Sequence, residues 1–368
     1  MITQPAAADL DYSDTEVALR DSVRRLFSDR LPTDVVMSSY DNPAPDVSGV
    51  WKTLAVDLGL AGLLVPESLG GAGASAREAA VVCEEIGRAV APVPYLSSAV
   101  LATLALLNAG DTDTVARLAE GAITAALVVP FSAAAVDPVV TAHDGTVSGR
   151  VDTVAGAAEA DILVVPAIGD DGTELHVVES TSPGVHVRPI LALDMTRPLA
   201  DVEFTAAPAR RVDTRDPDHA LRTALRTASA LLASEQLGVA QWCFDTTLAY
   251  VKDRRQFGRQ IGSYQAIKHR LADLWLEVSS AGAAARYAGD TIARDDDAGI
   301  AAHVAASYCG DTAVRAAEEC VQLHGGIGMT WEYPAHLYLK RAKADQIALG
   351  DGYWHRARLA ELVALPPN

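Results

Sequence analysis

Over residues 14–121, apolar positions recur at intervals of three and four, as in Val17, Leu19, Val23, Leu26 and Phe27 and again in Ala79, Ala80, Val81, Val82 and Ile86. That spacing lays one apolar stripe along an amphipathic helix and predicts a helical N-terminal domain over residues 1–121. Pro-, Gly- and Asp-rich breaks at residues 41–46 and at Gly110 and Asp111 separate its helices. Over residues 122–212 the pattern changes to short β-rich runs at 126–129, 161–165, 175–178 and 185–188. Turn signals at Asp144-Gly145, 169–172 and 182–184 divide them. This predicts a small antiparallel β domain. From 213 to 368 the helical period returns, through Leu221, Leu225, Leu232, Val239 and Trp242 and then Ile267, Leu271, Leu274 and Val278. Long amphipathic helices with short turns, one at 294–299, predict an antiparallel four-helix bundle. The fold class is therefore α+β, ordered helical, β, helical.

Composition narrows the function. The chain has 368 residues, 49% of them hydrophobic and 21% charged, the balance of a globular protein large enough to bury a sizeable site. Its net charge of -18 opposes nucleic acid and anionic membranes as partners, because tracking phosphate requires clustered Lys and Arg. No apolar run approaches the roughly 20 residues of a membrane span, and residues 1–14 lack a basic start and an apolar core, so we expect a cytoplasmic protein. The four cysteines, at 83, 243, 309 and 320, form no CxxC pair and read as buried thiols. The nine histidines show no metal-binding spacing, and no metal is expected. No GxGxxG motif follows a strand, which disfavours a Rossmann cofactor site.

Four segments carry the candidate chemistry. They are LGLAGLLVPESLGGAG at 58–73, YVKDRRQFGRQIG at 250–262 continuing to Asp273, VQLHGGIGMT at 321–330, and EYPAHLYLKRAKADQIALGD at 332–351. Arg254, at the end of a predicted long helix, has the planar fork that pairs with a pyrophosphate. Glycines at 258, 325, 326 and 328 let backbone approach a ligand, and the Gln322 amide can meet a nucleotide edge. Taken singly, Arg254 reads as a surface ion-pair residue, Gly325-Gly326 as a helix stop, and His324 as a packed histidine. As an ordered set spanning almost the whole chain, the segments resemble the acyl-CoA dehydrogenase family of flavoproteins.

The resemblance implies FAD as cofactor, an acyl-CoA substrate and an electron-transfer flavoprotein as acceptor. It also implies an oligomer in which Arg254, Gln256, Phe257, Gln322, Gly325, Gly326 and Gly328 touch the FAD of a neighbouring subunit. The family's reaction removes a weakly acidic α-proton while hydride leaves the β-carbon, which needs a carboxylate beside the α-carbon. In register, that glutamate position is Leu349. The alternative position used by some relatives falls near Ala228, and no Asp or Glu occurs from 219 to 234. The segments that hold the flavin ring in the family are also altered here, at 129–137 and 148–154. The resemblance is therefore to the base-less subunit of actinobacterial heterotetrameric enzymes that desaturate steroid side-chain thioesters. This implies an α2β2 complex whose homologous partner subunit carries the base, and an isolated chain that is inactive. Two other readings stay open: a self-sufficient flavoenzyme using Asp351 or Asp345 as base, and a non-catalytic structural or acyl-CoA-binding subunit.

Overall fold

The computed structural model describes residues 10–40, 48–294 and 296–366. The predicted break at 41–46, Asp295 of the 294–299 turn and residues 1–9 of the chain start lie outside the described residues. Among the described residues the α-helices that come first are α1 (Asp14–Arg30), α2 (Thr33–Met37), α3 (Ser48–Lys52), α4 (Ala76–Ala89), α5 (Thr103–Ala109) and α6 (Thr112–Ala119). Capping boxes start α1 and α4. At α1 the Ser13 hydroxyl accepts from the Glu16 N–H while the Glu16 carboxylate accepts from the Ser13 N–H, and Ser75 and Glu78 do the same for α4.

Strands follow: β1 (Ala125–Leu127), β2 (Val140–His143), β3 (Thr146–Ala155), β4 (Ile162–Gly169), β5 (Gly172–Glu179), β6 (Val185–Ile190), β7 (Leu199–Pro208) and β8 (Arg210–Arg211). Their order is β6-β7-β3-β2-β4-β5-β8, antiparallel except that β1 and β2 each pair parallel with β4. Strand β4 is buried on both faces, which is why it reads as an unbroken apolar run. Leu163 and Val165 point into the sheet's own core, whereas Ile162 and Val164 join the helical core. The middle sheet is thus welded to the helices by alternate residues of one strand.

The second helical region holds α7 (Pro217–Asp253), α8 (Gln265–Arg294), α9 (Ala298–His324), α10 (Ala335–Ile347) and α11 (Gly352–Leu362). The short hairpin β9 (Arg255–Gln256) and β10 (Arg259–Gln260) lies between α7 and α8. Helix α7 is begun by the Asp216 carboxylate accepting from the His219 N–H at 2.8 Å, with Pro217 in the first turn. It crosses α4 at unusually close range. A Cβ added to Gly238 would sit 1.9 Å from the Glu84 carbonyl oxygen, and one added to Gly87 would sit 1.9 Å from that of Glu235. Each glycine receives the other helix's backbone, which fixes the first helices on the bundle. Among the described residues no helix is long and apolar enough to cross a membrane.

Candidate functional site

The C-terminal ends of α7 and α9 lie side by side, because the Tyr250 hydroxyl reaches the His324 carbonyl at 3.4 Å and the two rings sit 4.2 Å apart. This brings the segments around Arg254 and Gln322 to one end of the bundle. Arg254 caps α7, and the chain then reverses through a two-residue turn in which Gln256 faces Arg259. Both turn residues have positive φ, Phe257 at 51° and Gly258 at 77°, as a twist-matched hairpin requires. Glycine adopts that conformation freely, but phenylalanine is strained in it. Phe257 is 90% exposed, so no packing among the described residues offsets that strain. Arg254 and Gln256 are exposed beside it.

Gln322 is exposed on the last turn of α9, and Gly325 ends the helix at φ 65°. A Cβ on Gly325 or Gly326 would meet open space, whereas one on Gly328 would come within 2.5 Å of the Val321 carbonyl oxygen. The first two glycines therefore leave backbone open to an incoming group, and the third lets the loop fold back on its helix. His324 clasps that loop. Its Nδ1 lies 2.7 Å from the Cys320 carbonyl and its Nε2 lies 2.6 Å from the Tyr333 hydroxyl. Donation from Nδ1–H to the carbonyl leaves Nε2 to accept from the tyrosine, which satisfies a neutral imidazole at both nitrogens.

The positions that could carry a base lie elsewhere. Ala228 is buried in α7. Leu349 is 1% exposed, has φ 53°, and its N–H donates to the Phe131 carbonyl at 2.8 Å. Phe131 belongs to the first altered segment, and its N–H donates in turn to the carbonyl of Thr153 in the second. Residue 349 and the two segments at 129–137 and 148–154 are thus joined by backbone hydrogen bonds. Asp351 is the N-cap of α11, its carboxylate accepting from the Trp354 N–H at 2.8 Å. That role explains it without catalysis.

Asp345 is buried in a charge cluster that sequence reasoning missed, apart from naming Asp345 as a rival base. Arg341, 1% exposed, donates to Asp194 and Glu235 at 2.5 Å each, and Arg197 also donates to Glu235. The Asp345 carboxylate lies 3.4 Å from Arg197, within ion-pair range but without a hydrogen bond. Burial pushes its carboxyl up to about 8, only partly opposed by Arg197. Burial alone would lower Arg341, but Asp194 and Glu235 hold it above its ordinary value. The cluster joins the loop after β6, which carries Asp194 and Arg197, to α7 and α10. No spacing rule could reveal it, because its members meet only through the tertiary fold. No group of His, Cys, Asp and Glu among the described residues could hold a metal ion.

Residues 13–125 match the family profile described as acyl-CoA dehydrogenase, N-terminal domain, and residues 219–364 match that for the C-terminal domain. Acyl-CoA dehydrogenase IpdE2 of Mycolicibacterium smegmatis is 35% identical over 338 residues, covering 92% of this chain and 95% of that protein. Among solved structures, the ChsE4-ChsE5 complex from Mycobacterium tuberculosis superposes with a TM-score of 0.87 at 27% identity, over 98% of this chain and 100% of that one. A single-substitution variant of the Tcur3481-Tcur3483 steroid ACAD does so with a TM-score of 0.85 at 28% identity, over 95% and 98%. With the profiles matched in order at both ends and a curated relative aligned along nearly its full length, this chain belongs to the acyl-CoA dehydrogenase family.

Proposed function

We propose that this chain is one subunit of an FAD-dependent acyl-CoA dehydrogenase that desaturates a CoA thioester of the steroid side-chain kind. In this reading it lends residues to a flavin site completed by a homologous partner that carries the glutamate. The observation that carries the reading is the asymmetry between two regions. Leu349, at the expected base position, is buried with its N–H bonded to the Phe131 carbonyl, while Arg254, Gln256, Phe257, Gln322, Gly325 and Gly326 stand exposed at the bundle's end. The exposed set suits a nucleotide. There the Arg254 guanidinium would pair with the pyrophosphate, Gln322 would meet a polar edge, and the open glycines would admit backbone contact. Gly328 shapes that loop. When bound, FAD supplies the hydride acceptor; this chain's residues bind and orient it.

Support for a partner comes from the two structural relatives above, whose names each join two proteins. The assembly we propose is an α2β2 heterotetramer with an electron-transfer flavoprotein as acceptor. Within it this chain would divide into domains at 1–121, 122–212 and 213–368. Self-sufficiency through Asp351 or Asp345 is disfavoured, because one caps a helix and the other is buried with its proton retained. A purely structural subunit would have no reason to hold Phe257 exposed in a strained turn.

The test is to purify the chain alone and co-expressed with a homologous dehydrogenase subunit that has the glutamate. Bound flavin and its bleaching by acyl-CoA are then measured in each. Flavin and bleaching should arise only in the complex, and Arg254→Ala there should lower flavin occupancy. Bleaching by the isolated chain, or unchanged occupancy in Arg254→Ala, would overturn the reading.

A further inference from the structure

Residues 325–332 leave α9 and return toward α10, with glycine at 325, 326 and 328. Glycine loses more conformational freedom on ordering than any other residue, so a loop built this way holds one shape only if its ends are fixed from outside. His324 and Tyr333 stand at those two ends, and the His324 Nε2 accepts from the Tyr333 hydroxyl at 2.6 Å. One hydrogen bond therefore closes the loop.

His324 is 3% exposed, and its other contacts reach both halves of the exposed set. Its Nδ1 lies 2.7 Å from the Cys320 carbonyl and 3.7 Å from the Cys320 sulfur, which fixes the ring against α9. The ring touches those of Tyr250 and Tyr333, with centroids 4.2 Å and 4.5 Å away. Tyr250 lies one turn before Arg254, whose N–H donates to the Tyr250 carbonyl at 2.8 Å. Gly328 folds back so closely that a Cβ there would lie 2.9 Å from that of His324. A single imidazole thus joins the helix end that carries Arg254 to the loop that carries Gly325 and Gly326.

We propose, on the flavin reading above, that His324 is a positioning residue for the cofactor. Its bond to Tyr333 keeps the Gly325 and Gly326 backbone in the one loop conformation that a nucleotide can use. Being buried, His324 does not touch the cofactor itself; it sets the fraction of chains whose loop is competent. The apparent Kd rises as that fraction falls.

The test measures the flavin dissociation constant of the co-expressed complex, read by release of flavin fluorescence on dilution. His324→Phe keeps a ring against Tyr250 but removes both hydrogen bonds. Tyr333→Phe removes one oxygen from a partly exposed residue, and it decides the matter should His324→Phe fail to fold. Each should weaken flavin binding by about threefold to tenfold, the worth of one hydrogen bond. The double variant should bind no more weakly than His324→Phe, because both changes act through one contact. Gly59→Ala, a strained position outside the bundle, should lower the thermal midpoint without weakening flavin binding, which separates positioning from general stability. Undiminished binding in either single variant while Arg254→Ala weakens it would overturn the proposal. Additive losses in the double variant, or an equal loss in Gly59→Ala, would do the same. Should Arg254→Ala also leave binding unchanged, the flavin reading itself fails and the role of His324 with it.

Discussion

The N–H of Leu349 donates to the carbonyl of Phe131, tying the position where the resemblance leads one to expect a base to the segment expected to hold a flavin ring. Restoring the acid should therefore not restore the chemistry. Leu349→Glu would bury a carboxyl at a 1% exposed site in a left-handed conformation. We expect a loss of about 3 kcal/mol or more in denaturant unfolding, and no dehydrogenation by the chain alone. Substrate-dependent dye reduction by that variant in isolation would show that the surrounding pocket is intact after all.

Phe257 opposes stability to function. Asn tolerates the left-handed turn better than Phe does, so Phe257→Asn should stabilise the isolated chain by up to about 1 kcal/mol in urea unfolding. The same change should weaken flavin retention in the co-expressed complex, read by release of flavin fluorescence on dilution. Stronger retention would argue against a contact with the cofactor.

Gly238 tests the crossing of α4 and α7. A single methyl there must displace the Glu84 carbonyl, so Gly238→Ala should cost about 3 kcal/mol or more. Gly59→Ala, where an added Cβ meets nothing, isolates the backbone effect of a positive φ and should cost only about 1 kcal/mol. Thermal unfolding midpoints of the two variants should separate clearly.

Asp345 makes stability fall with rising pH. Its folded value of about 8 lies above the ordinary 3.8, so the native state holds a proton that the unfolded chain has lost. The contribution is whole below pH 3.8, declines through the interval and is gone above about 8. Asp345→Asn keeps the shape without the titration. Its midpoint relative to the parent should rise between about pH 5 and about pH 8. A constant difference across that range would mean that the carboxyl is ionised in the fold.

His355 acts in the opposite sense. Its Nδ1 lies 2.8 Å from that of His303, and its ring also hydrogen-bonds the backbone of Leu349 and Gly350. Burial, followed by the charge of His303, pushes it down to about 4. Arg358 adds to the lowering at His303, while Asp351 opposes the shift at His355. Its contribution is present above the ordinary 6.5 and is lost as pH falls through about 4. His355→Gln should flatten the acid limb of the midpoint against pH, measured by far-ultraviolet circular dichroism.

Much of this was legible in the chain of residues alone. Period-3.6 stripes at Leu221, Leu225 and Leu232 announced α7, and Asp144-Gly145 announced the turn between β2 and β3, because helix stripes and turn chemistry act within a few residues. The parallel pairing of β1 and β2 with β4 was not legible, since a short apolar run carries no strand direction. Nor was the union of Asp194, Arg197, Glu235, Arg341 and Asp345, whose members come from three separate elements.

By itself the sequence determined the family, the order of its helical and β regions and the absence of an acid at Leu349 and Ala228, all properties of residue identity and local spacing. Only the tertiary structure decided that the Leu349 N–H meets the Phe131 carbonyl, that Asp345 is buried beside Arg197, and that Phe257 stands exposed at the same end of the bundle as the Gly325 loop. Burial, backbone hydrogen bonding and the balance of distant charges are set by which elements meet, and one strand of residues does not state that.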